Sequence, residues 1–172
     1  MSPRSRGFGR DERGVAAVEF ALLLPVLVLF YFGAVEMVSL FGAQRRLAHV
    51  AATIADITAQ GLTINDTQLS NVFDAGAVVL LPYASTGLKE RLTSLQADSS
   101  GNVTVGWTAN RNYATGAAAA VPSGYLGANE SVIVADVAYD YTSPLRFVIP
   151  GVIHFQEHAY FRPRQSAAVA KD

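Results

Sequence analysis

Residues 13–37 read RGVAAVEFALLLPVLVLFYFGAVEM, and this stretch decides the fold. Between residues 14 and 44 the only charged side chains are those of Glu19 and Glu36. As an α-helix, this segment would be about 46 Å long, enough for the hydrocarbon core of a bilayer and both headgroup zones. The sequence therefore predicts a transmembrane helix near the N-terminus.

The arginines that flank this helix predict its orientation. Four of them precede the apolar run (Arg4, Arg6, Arg10 and Arg13) and two follow it (Arg45 and Arg46). Because basic residues are retained on the cytoplasmic side, the excess favours a cytoplasmic N-terminus. We therefore expect a single-pass protein of the inner, cytoplasmic membrane whose later residues lie in the periplasm or at the cell surface.

Glu19 separates three interpretations of the N-terminus. A secretory signal peptide is disfavoured because its apolar region is only about 7–15 residues long. An uncleaved single-pass anchor fits the length, and Glu19 would then reach for the headgroups from the cytoplasmic end. Neither interpretation requires a carboxylate at position 19.

The third interpretation joins a basic leader, Gly14, Glu19, the aromatic Phe20 and a continuous apolar helix. This order resembles the type IV prepilin processing signal, in which a membrane peptidase cuts after the glycine. Val15 would become the new N-terminus. Residues 15 and 19 share a helix face, with Cβ atoms about 5–6 Å apart. The carboxylate of Glu19 could then pair with an N-terminal amine of its own subunit or of a neighbour, as a buried charge requires.

The wider stretch resembles the start of TadE-like proteins, minor pilins or pseudopilins of the tight-adherence (Flp) pilus. Their pattern G-x-x-x-V-E-F-A-x-x-x-P, with a second glutamate further on, corresponds to Gly14, Val18, Glu19, Phe20, Ala21, Pro25 and Glu36. The likeness continues loosely through VAATIADITAQ, GNVTVGW, VADVAYDYTSPL and FRPR. It implies cleavage by a prepilin peptidase and a role in pilus assembly, adhesion or biofilm formation. The implied partners are other pilins or pseudopilins and the assembly platform.

Two further helix residues are candidates, with Glu19, for packing in an assembly. Pro25 removes the amide that would bond the Ala21 carbonyl, and so favours a kink. Our first interpretation is that the membrane helix tolerates this proline, as such helices commonly do, and the second is that the kink sets subunit packing. Glu36 lies about 25 Å beyond Glu19 by helical rise, near the outer interface. We expect its side chain to reach water there.

Beyond the membrane the sequence predicts an α+β, pilin-like head with an antiparallel sheet of about four strands. The predicted segments are a basic leader (1–14, cleaved), a transmembrane helix (15–42), its periplasmic extension (43–61) and the head (62–172). Helical spacing predicts that the extension packs on the head through a stripe of Leu47, Val50, Ala51, Ile54 and Ile57, ending near Gly61.

Within the head, a short helix capped near Asn65 or Asp66 is predicted, then a strand at residues 77–81. Strands 88–97 and 103–107 flank the turn DSSGN, and alternation of Val103, Val105 and Trp107 predicts one buried face. Two further strands are SVIVADVAYDY and HFQEHAYF. A surface loop is expected between residues 109 and 130.

The sequence offers little for catalysis, and we expect neither enzymatic activity nor a cofactor. His154 and His158 would be too far apart on a strand for one metal ion, so we interpret them as surface or pairing histidines. Asp136 and Asp140 could serve acid–base chemistry in a membrane-anchored hydrolase, but edge-strand charges explain them equally well. The absence of cysteine excludes disulfides, and a net charge of −1 argues against nucleic-acid binding.

Overall fold

The chain folds into a long N-terminal helix and a head built around an antiparallel sheet. The computed structural model describes residues 13–114 and 121–172. In chain order the elements are α1 (Arg13–Ala59), β1 (Thr63–Ile64), α2 (Asp66–Val79), a single 3-10 turn (Ser85–Gly87), β2 (Leu88–Ala97), β3 (Val103–Arg111), β4 (Ser131–Thr142), β5 (Val152–Phe161) and β6 (Ala170–Lys171). The α+β class predicted from the sequence is confirmed.

Helix α1 has two halves with different surroundings. Residues 14–31 are exposed along their whole length, whereas from Glu36 onward one side of the helix is buried by the head. The buried side carries Ala43, Leu47, Val50, Ala51, Ile54, Ala55 and Ala59. This spacing places the residues on one helical stripe, as expected. Ile57 was wrongly included in that stripe, since 41% of it is exposed.

The sheet has four strands in the order β3-β2-β4-β5, all antiparallel. Its helix-facing side joins α1 and α2 in one hydrophobic core, to which β4 contributes Ile133, Ala135, Val137, Tyr139 and Tyr141. The opposite side carries a smaller cluster formed by Leu95, Ala97, Leu126, Val132 and Val134. A separate parallel pair, β1 with β6, ties the C-terminal segment to the end of α1.

The predicted hairpin between β2 and β3 is confirmed, but its buried face is not. Ser94 lies opposite Trp107 and Leu95 opposite Val105, so Gly106 is an extra residue in β3. Such a bulge reverses the alternation of side chains. Trp107 therefore packs against the main core, while Val103 and Val105 lie on the other side of this edge strand and stay exposed.

Helix α2 replaces the strand predicted at residues 77–81. Asn65 caps the helix, its side chain accepting from the Gln68 amide while the Gln68 side chain accepts from the Asn65 amide. The cap was predicted, and the helix it starts runs through Val79 because Leu69, Val72, Phe73 and Gly76 bury one face. Packing at helical spacing thus overrides the β-propensity of an apolar run.

The loop predicted between residues 109 and 130 begins later than expected, because β3 continues to Arg111. Part of this loop, residues 115–120, lies outside the described residues. The described part returns to the sheet, where Leu126 is buried in the smaller cluster and Tyr125 packs beside Tyr160. This loop therefore covers part of the sheet face opposite the helices.

Candidate functional site

The exposed half of α1 is the first candidate site. The segment Gly14–Ala59 is long and apolar enough to cross a membrane, and its most apolar window has a mean hydropathy of 2.4 with no part buried by the protein. Its surface includes Leu22, Leu27 and Phe30, each more than half exposed. An apolar surface of this size needs a nonaqueous environment, so the structure fits a single-pass membrane protein.

The predicted processing site lies at the start of this helix. Gly14 and Val15 follow Arg13, the first residue of α1 that the structure describes, and both are exposed. A Cβ built on Gly14 would have no neighbour within 4 Å. Among the described residues, none covers Gly14 or Val15.

Glu19, Phe20 and Pro25 project from the same exposed half. Glu19 is exposed, and it lies one turn after Val15 on the same side of the helix. Phe20 is 60% exposed. The helix is continuous through Pro25, whose missing amide leaves the Ala21 carbonyl without its usual donor. None of these three residues is covered by the described part of the head.

Glu36, in contrast, is held by the head. Its Oε1 accepts from the Ser143 hydroxyl at 2.7 Å and from the Phe147 amide at 2.8 Å. Its Oε2 accepts from the amides of Val148 and Ile149, each at 2.8 Å. Three successive amides and a hydroxyl thus surround one carboxylate, which is the pattern of an anion-binding backbone nest.

The expectation that Glu36 reaches water was wrong, because only 1% of the residue is exposed. The partner loop, residues 143–151, connects β4 to β5 and carries prolines at both ends of the amide run, Pro144 and Pro150. The sequence did contain a signal for this contact. A lone carboxylate on an apolar helix needs hydrogen-bond donors, and an apolar loop between two prolines offers backbone amides that need acceptors. Their pairing joins residues more than 100 positions apart, and helical or strand periodicity says nothing about such a contact.

On the sheet face opposite the helices, Asp136 lies in a buried ion pair. Asp136 is opposite His158 in the register, and its Oδ1 lies 2.6 Å from His158 Nδ1. Its Oδ2 accepts from Arg91 Nε at 2.9 Å and Nη2 at 2.7 Å. Tyr113 stacks on the guanidinium, 4.7 Å from ring centroid to Cζ. The sequence analysis missed Arg91, which lies between Glu90 and Leu92 on β2.

Asp140 repeats this arrangement in a more exposed setting. Its Oδ2 accepts from Lys89 Nζ at 2.8 Å, and its Oδ1 lies 2.6 Å from His154 Nδ1. Hydrogen bonds from Lys89 and His154 lower the pKa of the Asp140 carboxyl. The two histidines thus pair with carboxylates, as one of the sequence interpretations held. Asp136 and Asp140 lie on the inner strand β4, so the edge-strand interpretation was wrong.

These pairs orient two imidazoles through their contacts with Asp136 and Asp140. Both oxygens of Asp136 and of Asp140 already have donors. Among the described residues, no group of three or more His, Asp or Glu side chains could hold a metal ion. The arrangement is therefore suited to joining β2, β4 and β5 through charges.

A third ionic cluster lies between the sheet and α2. Glu90 is fully buried, and its Oε2 accepts from Arg111 Nε at 3.0 Å and Nη2 at 2.6 Å. Burial raises the pKa of Glu90 to about 7, against the opposing effect of Arg111 and with a smaller contribution from Asp74. Gly76 makes room for this carboxylate, since a Cβ there would lie 2.2 Å from Glu90 Oε1.

Comparison with known proteins gave a match for the N-terminal segment alone. Neither curated proteins nor solved structures gave a match. The model of the family described as TadE-like protein matches residues 14–56, which are the exposed half of α1 and most of its buried half. The match includes Gly14, Glu19, Pro25 and Glu36. The resemblance seen in the sequence is confirmed: over residues 14–56 the chain matches the TadE-like family.

Proposed function

We propose that this chain is a minor pilin or pseudopilin that takes part in assembling a tight-adherence (Flp, type IVb) pilus. Its TadE-like segment supports an association with that pilus machinery. A prepilin peptidase would cut it between Gly14 and Val15 while it spans the inner membrane with its N-terminus in the cytoplasm. Its partners would be other pilins or pseudopilins and the assembly platform, and the pilus would serve adhesion or biofilm formation.

One observation carries this proposal: α1 is both a free apolar rod and a part of the head's core. Residues 14–31 are exposed, whereas Leu47, Val50 and Ile54 are completely buried in the head. The head thus holds the helix at one end and presents the other end for burial elsewhere. A subunit of this shape can bury its rod in a bilayer before assembly and among neighbouring helices afterwards.

Glu19 would set the register of that helix packing. It lies one turn from the amine that cleavage would create at Val15. A carboxylate buried among apolar helices needs an opposite charge, and the new amine of the same or a neighbouring subunit supplies one. The exposed position of Glu19 supports this role, because the described head residues do not cover it.

The mature N-terminus tests the proposal. In cells with an active prepilin peptidase, mass spectrometry of the membrane fraction should find a chain beginning at Val15. Gly14→Val should keep the leader, and its fold should be unaffected because the Gly14 Cβ position is open. Gly33→Ala is a matched control, with only an ordinary 3.6 Å contact to Val148, and should be cut normally. A wild-type chain that begins at Met1 or Ser2 would contradict the processing.

The alternative is an uncleaved single-pass protein with a periplasmic interaction head. It shares the membrane helix. It gives no role to the exposed Gly14 or to Glu19, which the described head residues do not cover. We further propose that the head is not an enzyme, because the Asp–His pairs of the sheet are engaged with Arg91 and Lys89. An activity of the purified protein that is lost in Asp136 or His154 variants would contradict this.

A further inference from the structure

We propose that the loop between β4 and β5, residues 143–151, rests on the outer leaflet of the membrane that α1 spans, and that Glu36 holds it there. The loop would be a second lipid contact, which fixes the tilt and height of the head. This inference depends on the membrane span of α1 and does not depend on cleavage or on a role in the pilus.

The loop exposes large apolar side chains on its outer surface. Leu145, Phe147 and Val148 are each about half exposed, as is Val152 at the adjoining start of β5. The patch continues the apolar surface of the helix, because the ring of Phe147 packs against Phe32 with centroids 5.5 Å apart. Tyr31, in contact with Phe32, is 66% exposed and belongs to a residue type enriched at membrane interfaces.

The position of the loop along α1 places it at membrane depth. A hydrocarbon core about 30 Å thick is crossed by about 20 helical residues. A span beginning at Gly14 would end near residue 34, and one beginning at Glu19 would end near residue 39. The loop contacts the helix at Phe32, Gly33 and Glu36. In either register these contacts lie at the outer boundary of the hydrocarbon or just inside it.

Four amides of the loop have acceptors within the protein, which suits a place with little water. Nonhelical backbone at membrane depth must have its polar groups satisfied by the protein. Three successive amides, those of residues 147–149, donate to Glu36, and the Arg146 amide donates to the Ser143 hydroxyl. Pro144 and Pro150 have no amide to satisfy. Glu36 and these amides thus satisfy each other's hydrogen bonds, which lowers the free-energy cost of taking both out of water.

Charge complementarity also favours lipid over a protein partner. Arg146 is exposed in the middle of the apolar patch. A cation within such a patch suits an interface where phosphates lie directly above hydrocarbon, because the guanidinium can reach up to the phosphate while the neighbouring side chains enter the acyl region. A second copy of this chain is the other occupant to be distinguished.

Nitroxide scanning of the full chain in phosphatidylethanolamine–phosphatidylglycerol liposomes tests the proposal. The chain contains no cysteine, so single cysteines can be labelled cleanly. Val148→Cys and Val105→Cys are a matched pair, since both valines are 48% exposed. Val105 pairs with Leu95 near the start of β4, at the sheet end away from Ser143. Leu27→Cys, in the exposed apolar half of α1, reports insertion.

Collisions with oxygen, which concentrates in lipid, are compared with collisions with a water-soluble nickel chelate. At position 148 we expect an oxygen-to-nickel ratio several-fold above that at 105 and similar to that at 27. Equal ratios at 148 and 105 would overturn the proposal. Protection of 148 from both reagents would overturn it in favour of a second copy, and a water-accessible label at 27 would remove the membrane span on which it depends.

Discussion

Glu36 and Ser143 are 107 positions apart, and the hydroxyl of Ser143 donates to Oε1 of Glu36 at 2.7 Å. This bond and the three amides beside it join α1, where its buried side begins, to the loop between β4 and β5. The helix is thereby connected to the head at two places, through its buried stripe and through this carboxylate. The head therefore cannot pivot freely about the point where α1 leaves the core.

Replacing Glu36 by Gln should loosen the loop. The amide group would present a donor to backbone amides that now donate, and each unsatisfied buried donor costs about 1–3 kcal/mol. We expect destabilisation of about 2–4 kcal/mol and faster hydrogen exchange at residues 147–149 in detergent micelles. Glu19→Gln is the matched control, because Glu19 is exposed on the same helix. Unchanged exchange at 147–149 in the Glu36 variant would show that the carboxylate does not hold the loop.

Removing the charge of Glu19 should separate membrane insertion from assembly. Glu19→Ala should insert at least as well as the wild type, because a carboxylate near a membrane helix costs insertion free energy. Pilus formation should fail, because the N-terminal amine would lose its partner. The measurements are the amount of membrane-resident protein and the yield of sheared pili. Leu22→Ala, an exposed apolar change within the same turn, should retain pili. Normal piliation of the Glu19 variant would eliminate the pairing.

Local patterns were sufficient for much of this fold. The stripe from Leu47 to Ile54 has the period of a helix, and the cap at Asn65 follows from a side chain that can accept an amide. The turn after Ala97 was predicted from DSSGN, and Asp98 holds it by accepting from the amides of Ser100 and Asn102. Each of these features depends on residues only a few positions apart.

Features decided by long-range contacts were missed or wrong. The bulge at Gly106 changes which side Val105 faces, and only the pairing with β2 reveals it. Residues 77–79 remain helical because α2 packs on α1. Glu36 was expected in water, since its partner loop lies more than 100 positions away in sequence. For the candidate site, the sequence identified the residues of the exposed helix and could not find what holds Glu36.

The two aspartates of β4 offer a comparison between a buried and an exposed ion pair. Asp136→Ala would leave Arg91 buried without its partner, which typically costs 3–5 kcal/mol. Asp140→Ala removes a pair whose side chains are 39% and 32% exposed, and exposed pairs contribute about 0–1 kcal/mol. Denaturant unfolding of the full chain in micelles should therefore show a large loss for Asp136 and a small one for Asp140. Equal losses would contradict the structural role of the Arg91 pair.

Glu90 should make the stability of the head depend on pH. Its pKa of about 7 in the folded protein lies above the ordinary value of 4.5. Between these pH values the folded protein keeps a proton that the unfolded chain releases, so the free energy of unfolding falls as pH rises. The contribution is fully present below about pH 4.5 and is lost by about pH 7, with an upper limit of about 3 kcal/mol.

Glu90→Gln isolates this contribution, because Gln does not titrate. The unfolding free energy of the variant minus that of the wild type should be more positive at pH 8 than at pH 5, measured on the full chain in micelles. Taking the difference cancels groups common to both proteins. Glu130→Gln is the control: the amide of Gly127 lowers the Glu130 pKa, so its titration falls below this range and its difference should stay constant. An equal difference at both pH values for Glu90→Gln would mean that Arg111 keeps Glu90 ionised throughout.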